Sequence, residues 1–336
     1  MKNGKGAKIM DAELIMNVKE MHDRKAWLQL RKQGIGGSDA GTIMGYNPWS
    51  SPFKLWLEKT GQVEPEDISS KPSVQAGIRL EPVVADWFAD ETGLKVERRG
   101  MMRNKTYPWM QANIDRLIPG KKNGLDADIG LEIKTTNAFS AHEWDGDDLP
   151  ASYLLQCQHY MMATGLKGWW IAVLIGGQDF RKKYIPRNDE QIKALFDAEK
   201  EFWDVNVKMG IVPDIDGSYV TAQMLGKQYP GGRDDVLDLP GDALDIIKLI
   251  DDYKARQKEI GEALEAQENR LKAMMGDNEV ATVGTYKVAW KTRAGRKTFD
   301  TKRFKGDHPD LYDDYVKVGE PTREKHVRIS VKKGEK

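Results

Sequence analysis

The chain has 336 residues, a length that allows one large domain or two. Charged residues make up 31% and hydrophobic residues 40% of it, and no apolar run approaches the ~20 residues of a membrane span. Cys157 is the only cysteine. This excludes an internal disulfide and cysteine-rich zinc or iron–sulfur sites, and it predicts a soluble protein of the reducing cytoplasm.

The net charge is zero, but the two signs are unevenly distributed along the chain. Residues 284–336 contain 15 Lys and Arg against 8 Asp and Glu, which leaves 37 and 44 of the 52 of each sign for residues 1–283. A basic end on an acidic body suggests an anionic partner. A solvated, lysine-rich terminus is the alternative, and composition alone leaves both open.

The first predicted element is a helix over residues 9–32. A glycine-rich turn follows at 34–37, and Ser38 or Asp39 is then the predicted N-cap of a short helix that ends near Gly45.

This turn is a candidate phosphate site. A helix N-terminus presents free N–H groups and a positive dipole, and Arg31 lies seven residues before Ser38. The alternative is a capped turn, in which Ser38 satisfies backbone donors only.

Two further helices are predicted before the strands. Ser51 as N-cap, Pro52 at the first helical position and Gly61 at the end predict a short helix. Residues 74–92 predict a long amphipathic helix that Gly93 terminates. Its apolar stripe consists of Leu80, Val84, Trp87 and Phe88. Glu81 flanks this stripe and is either a boundary residue or a ligand aimed at a sheet.

The predicted chemistry lies on two short strands, within 109–118 and 130–135. Asp115 belongs to the first strand, and Glu132 and Lys134 belong to the second. Both polar side chains of the second strand leave the same face, because they alternate with apolar residues. Two carboxylates and an ammonium on adjacent strands suit a hard cation beside a water molecule. The alternative is an ordinary half-exposed strand with polar residues on its wet face.

The pattern after these strands completes an α/β sandwich. Residues 151–165 predict a helix, with Gln158 beside its core face. Strands are predicted at 169–175 and 180–185, and a helix from 189 to about 207. The element order predicts a mixed sheet flanked by helices.

The rest of the chain is predicted as a linker at 213–242, a long helix at 242–275 and a small basic β unit at 279–334, with strands at 280–283, 285–290 and 326–331. Apolar residues recur along the helix in steps of four and three, at Ile246, Ile250, Tyr253, Ile260, Leu264, Leu271 and Met274, with Gln257 and Gln267 interrupting them. Such a seam is typical of packing on another helix of the same chain or of a self-associating coiled coil.

Six motifs in this order resemble the YqaJ-type phage recombination nucleases, which are similar to phage lambda exonuclease and belong to the PD-(D/E)XK superfamily. The motifs are Arg31 with GIGGSDA at 34–40, SPxxLWxxKTG at 51–61, GxxLEP at 77–82, Asp115, EIK at 132–134 and LxQxQxYM at 154–161. The resemblance covers about residues 24–205. It implies a PD-(D/E)XK nuclease domain at 1–212, before the linker and a C-terminal region at 243–336.

The resemblance also implies roles for individual residues. Asp115, Glu132 and the backbone carbonyl of Ile133 would hold Mg²⁺, which Mn²⁺ would replace, and Glu81 would be a further acid at the metal. Lys134 would position or activate the water. The remaining roles fall to Gln158, which would orient the lysine or the water, and to Arg31 and Ser38, which would bind a DNA 5′-phosphate.

One departure from the family pattern leaves an alternative. The first acid lies in Asn113-Ile114-Asp115-Arg116 rather than in a Pro-Asp pair, and Asp128 in the following loop is its rival. The implied activity is 5′→3′ exonucleolysis of double-stranded ends, which leaves 3′ strands for an annealing protein. A ring of subunits in the cytoplasm of a bacterial host is implied as well. An endonuclease and a non-catalytic DNA-binding or scaffold protein are the alternatives, and the use of one or two metals stays open.

Overall fold

The computed structural model describes residues 11–233, 235–319 and 327–330. The chain divides into two compact units, of which the first ends at Gln228 and the second begins at Tyr229. No helix among the described residues is long and apolar enough to cross a membrane.

The N-terminal unit contains seven strands and eight α-helices among its described residues. The strands are β1 (Ala12–Met16), β2 (Met101–Asn104), β3 (Gln111–Asn113), β4 (Arg116–Ile118), β5 (Ile129–Thr136), β6 (Gly168–Ile175) and β7 (Asp179–Pro186). The helices are α1 (Arg24–Lys32), α2 (Gly37–Ile43), α3 (Pro52–Lys59), α4 (Pro72–Thr92), α5 (Gly120–Asn123), α6 (Ala151–Thr164), α7 (Asp189–Glu201) and α8 (Tyr219–Gln228).

The central sheet has the strand order β4-β5-β6-β7. Strands β5 and β6 are parallel, and the two outer pairs are antiparallel. The predicted α/β class with a mixed sheet flanked by helices is therefore confirmed. A second, antiparallel sheet has the order β1-β2-β3.

The two faces of the central sheet pack against different helices. Leu131 and Ile133 of β5 lie in one core with Val84 and Phe88 of α4. Cys157 of α6 lies in the other core, which takes the opposite face of β6. Because side chains alternate along a strand, Glu132 and Lys134 point towards the α6 side.

Several predicted helix termini are confirmed. Ser51 Oγ accepts a hydrogen bond from the Lys54 N–H, and Pro52 occupies the first turn of α3. Gly93 ends α4 and Gly165 ends α6, each in the left-handed conformation that glycine adopts without strain. The predicted helix at 189–207 begins at Asn188 as its N-cap and continues past α7 as a π-helical segment, Phe202–Lys208.

Three predictions for the N-terminal unit differ from the structure. The helix over 9–32 is wrong in its first half: β1 forms there because it pairs with β2, and residues 9 and 10 lie outside the described residues. The N-cap of α2 is Gly36, not Ser38 or Asp39. The predicted linker at 213–242 contains α8, whose Thr221 hydroxyl donates to Ser51 Oγ at 2.8 Å.

The C-terminal unit contains the predicted long helix as α9 (Ala243–Met275). A hairpin of β8 (Val280–Val283) and β9 (Tyr286–Ala289) follows, and confirms two of the predicted strands. The helices α10 (Thr301–Asp307) and α11 (Pro309–Tyr315) lie where an all-β unit is predicted. Residues 327–330 form no strand, and the rest of the predicted strand at 326–331 lies outside the described residues.

Candidate active site

Asp115 and Glu132 come together where β4 ends. Strand β4 covers β5 only up to the pair Arg116–Leu131. Beyond that pair, the side chain of Asp115 takes the place of a backbone partner at this edge of β5. Its Oδ2 accepts a hydrogen bond from the Ile133 N–H at 2.7 Å. The backbone N–H and C=O of one strand residue point to the same side, so the Ile133 carbonyl also faces the Asp115 side.

A cluster of three polar side chains forms on the α6 face of the sheet. Lys134 Nζ lies 2.6 Å from Glu132 Oε1 and 3.0 Å from Gln156 Oε1. The amide of Gln156 donates to Glu132 Oε1 at 2.7 Å and to the hydroxyl of Tyr160 at 3.1 Å. The ammonium also lies over the Tyr153 ring, 4.7 Å from its centroid. Gln156 therefore holds the lysine and the acid in one fixed arrangement.

The two buried acids disfavour each other's ionisation. Burial raises the pKa of Asp115 well above its usual value, and the nearby Glu132 raises it further. Burial likewise raises the pKa of Glu132, although Lys134 opposes the shift. For Lys134, burial alone would lower the pKa, but Glu132 and Asp115 reverse the effect and raise it. Without a bound cation, Lys134 is therefore charged at neutral pH.

The contact predicted for Gln158 is made by another residue of α6, Gln156. The side chain of Gln158 does not contact Lys134: it donates to the Pro186 carbonyl at 3.0 Å and accepts from the Asn188 N–H at 3.0 Å. These bonds fix the junction between β7 and α7. Gln156 takes the predicted contact with the lysine, because a two-residue step turns about 200° around a helix.

The other two acids of the prediction have partners of their own. Glu81 forms an ion pair with Arg116, and it lies close enough to raise the pKa of both Asp115 and Glu132. Asp128 accepts a hydrogen bond from the Gly120 N–H at 2.8 Å, at the start of α5. The geometry thus favours Asp115 over Asp128 as the first acid, and Glu81 remains a candidate for a further ligand.

The two side chains of the candidate phosphate site, Arg31 and Ser38, are in contact. Arg31 Nη2 lies 2.8 Å from Ser38 Oγ and 3.1 Å from Asp39 Oδ1. The guanidinium also lies over the Trp27 ring, 5.1 Å from its centroid. The side chain of Arg31 keeps 32% of its surface exposed, so it is held in place and still accessible to an anion.

The support for this arginine comes from a buried ion pair that sequence reasoning missed. Lys59 Nζ lies 2.8 Å from Asp39 Oδ2 and also donates to the carbonyls of Arg31 and Gly34. Burial alone would raise the pKa of Asp39, but Lys59 and Arg31 lower it to about 2. The carboxylate is therefore ionised at neutral pH, with one oxygen on Lys59 and the other on Arg31. In the sequence, the only indication of this ion pair is the KTG motif at 59–61, which contains Lys59.

The candidate phosphate site packs against the polar cluster of Glu132, Lys134 and Gln156. A side chain at Gly37 would lie 2.6 Å from the Tyr160 ring and 3.0 Å from Gln156. The first turn of α2, which carries Ser38, therefore packs directly on the two residues that meet beside Glu132. Substituting Gly37 would push apart the two halves of the site.

Known proteins of similar sequence identify the family of this chain. The family model of the YqaJ-like viral recombinase domain matches residues 26–167. The protein YqaJ of Bacillus subtilis, described as uncharacterized, is 38% identical over 306 residues, which cover 90% of this chain and 93% of that protein. The chain belongs to the YqaJ family.

Two solved structures are also similar to this YqaJ-family protein. An alkaline exonuclease from Laribacter hongkongensis has a TM-score of 0.45 and 18% identity, covering 54% of this chain and 91% of its own. A phage-related exonuclease from Haemophilus somnus has a TM-score of 0.37 and 16% identity, covering 55% of this chain and 100% of its own.

The site around Asp115 and Glu132 fits a divalent cation. No group of three or more His, Cys, Asp and Glu side chains is placed to hold a metal among the described residues. Glu132 Oε2, however, is buried with no hydrogen-bond partner there, a costly state for a carboxylate oxygen. With the Asp115 carboxylate and the Ile133 carbonyl, it makes an all-oxygen set of the kind that Mg²⁺ prefers.

Substituting Gln156 tests whether this residue, rather than Gln158, positions Lys134 and Glu132. We expect Gln156→Leu to lower kcat by roughly 10- to 100-fold with little change in KM, because the lysine and the acid are misoriented without its supporting hydrogen bonds. Gln158→Leu is the matched control: it should lower the melting temperature by removing two hydrogen bonds, each worth about 1 kcal/mol, and leave kcat unchanged. Steady-state kinetics and thermal melts of both variants decide, and the reverse pattern would restore Gln158 to the site.

Proposed function

We propose that this YqaJ-family protein is a divalent-metal-dependent deoxyribonuclease that degrades duplex DNA from its ends in the 5′→3′ direction. The main observation behind the proposal is the buried Oε2 of Glu132, which has no hydrogen-bond partner among the described residues and lies next to Asp115 and Lys134. The family description, a viral recombinase domain, supports DNA as the substrate.

The residues around Glu132 have different roles in the proposed phosphodiester hydrolysis. Asp115, Glu132 and the Ile133 carbonyl would hold Mg²⁺, or Mn²⁺ in its place, with Glu81 as a candidate further ligand. The bound cation supplies positive charge that polarises the phosphate and lowers the pKa of a water molecule. Lys134 places its ammonium where negative charge develops on the phosphate, and Gln156 keeps that ammonium in position.

The direction of degradation is proposed from the Arg31–Ser38 pair. A phosphate on these two residues would lie on α2, whose first turn packs against Gln156 and Tyr160. Holding a terminal 5′-phosphate there would select ends over internal sites. The product would be a 3′ single strand for an annealing partner, and a ring of subunits in the cytoplasm of a bacterial host fits that use.

Incubation with linear and closed-circular duplex, in Mg²⁺ or in EDTA, tests the proposal. We expect loss of the linear DNA only, and only with the metal. Nicking of the circles would instead identify an endonuclease. No loss of either DNA, with binding retained, would leave a non-catalytic DNA-binding or scaffold protein.

The phosphate state of the end tests the role of Arg31. We expect 5′-phosphorylated ends to be degraded faster than 5′-hydroxyl ends, and Arg31→Ala to remove most of that difference. A charge-assisted hydrogen bond is worth roughly 1.5–3 kcal/mol, or about 10- to 100-fold in kcat/KM. Lys32→Ala is the matched control, because Lys32 is adjacent and pairs with Glu64 instead. A wild type that ignores the 5′ end would reduce the motif to a structural turn.

The exposed basic loop at 291–297 is expected to aid DNA capture. It carries Lys291, Arg293, Arg296 and Lys297 without an acid between them. Replacing the four by Gln should flatten the salt dependence of binding by about 0.9 in log–log slope for each phosphate that the loop no longer neutralises. The control is Lys193→Gln with Lys200→Gln, since both lysines already pair with acids. An unchanged slope would show that this loop does not contact DNA.

A further inference from the structure

Helix α9 carries an apolar stripe that stays exposed. Every residue from 251 to 270 is exposed, and Tyr253, Ile260 and Leu264 each keep 60% or more of their surface accessible. Met275, at the C-terminal end, is the only buried residue of the helix. Surface helices owe most of their stability to packing an apolar face, and this 33-residue helix has no partner for that face among the described residues of its own unit.

The spacing of the stripe matches a coiled coil rather than the edge of a globular core. The positions from 246 to 274 alternate in steps of four and three, which is the 3.5-residue repeat of two helices that wind around each other. A helix that packs on a globular core shows a wider apolar face with a 3.6-residue period. Residues 243–250 are apolar on several sides, but from 251 to 274 the seam is narrow, and in total it runs over about four heptads.

Two polar positions of the seam indicate which kind of surface would cover it. Gln257 and Gln267 occupy core positions of the repeat, where an apolar partner surface would bury their amides without hydrogen bonds. A second copy of α9 carries matching amides at the matching spacing. In a parallel pair each glutamine meets its own equivalent. In an antiparallel pair that places Ile260 against Leu264, Gln257 meets Gln267.

We propose that α9 pairs with α9 of a second copy of this chain as a two-stranded coiled coil, with the glutamines as its polar layers. Shifting the register by one core layer would place each glutamine against an apolar side chain. The matched layers therefore select one register in each orientation, as single polar core residues do in coiled coils. This proposal does not depend on the nuclease activity proposed above.

A charge placed in the seam tests the pairing in the full-length protein. Leu264→Asp should lower the mass measured by light scattering at micromolar concentration, because copies that are joined through α9 separate. Ala255→Asp is the matched control, because residue 255 lies on the outer side of the same helix and should leave the mass unchanged. Both residues are exposed, so neither change removes packing against the described part of the chain. An unchanged mass for Leu264→Asp would overturn the proposal.

Cysteine cross-linking gives a second test that does not depend on mass. The native Cys157 is fully buried and will not react. In a parallel pair, Gln257→Cys and Gln267→Cys each cross-link to themselves. In an antiparallel pair, only a mixture of the two variants cross-links. Either pattern supports the pairing, and it reveals the orientation. Absence of any cross-link, with Ala255→Cys as the background, would overturn the proposal.

Discussion

Replacing Asp115 by Asn is expected to abolish DNA cleavage and, at the same time, to stabilise the metal-free protein. The activity should fall by roughly 10³-fold or more, because removing a proposed metal ligand would take away several kcal/mol of transition-state charge stabilisation. The asparagine side chain still accepts the Ile133 N–H bond that positions it. Fold and DNA binding should therefore be retained.

The stabilisation follows from the raised pKa of Asp115. Burial and the neighbouring Glu132 hold the folded pKa above the unfolded one, so folding opposes ionisation of this carboxyl. Such a group contributes most stability below its unfolded pKa and loses it as the pH rises towards the folded pKa. Neutral pH lies above the unfolded pKa, so the wild type bears this cost there and Asn removes it.

Thermal melts and cleavage assays with and without Mg²⁺ check both halves of this prediction. Mg²⁺ should raise the melting temperature of the wild type, because a ligand that binds only the folded state stabilises it, and should not raise that of Asp115→Asn. Asp128→Asn is the matched control: it loses only the bond to Gly120 and should keep its turnover and its response to Mg²⁺. If Asp128→Asn were the inactive variant, the two acids would exchange roles.

Replacing Lys134 by Met should lower turnover by about 10²-fold or more while the response to Mg²⁺ is retained. The ammonium lies against Glu132 and Gln156 and does not supply a metal ligand. Its loss should also destabilise the metal-free protein, opposite to the effect of Asp115→Asn. Removing one partner of a buried ion pair leaves an uncompensated charge and costs about 3–5 kcal/mol.

The conservative variant separates charge from geometry. Lys134→Arg keeps the positive charge but brings a planar fork in place of a compact ammonium that contacts two oxygens and an aromatic ring. We expect it to recover part of the stability and little of the turnover. Single-turnover kinetics and melts of both variants decide. Near-normal turnover in Lys134→Met would exclude Lys134 from the chemistry.

Local sequence patterns were sufficient to predict the features that depend on neighbouring residues. Alternation along β5 is a local property, so the order of residues alone placed Glu132 and Lys134 on one face of the strand. The ends of α3, α4 and α6 were likewise predictable, since a serine cap or a left-handed glycine acts within one turn. The α/β class followed from the order of these elements.

Features that depend on residues far apart in the chain became clear only from the three-dimensional fold. Residues 12–16 form a strand because β2, almost ninety residues later, offers an edge to pair with. Gln156 rather than Gln158 meets Lys134 because packing sets the rotation of α6 against the sheet. Asp39 supports Arg31 because Lys59 arrives from α3. In each case the local pattern allowed two outcomes, and long-range packing and charge pairing selected one.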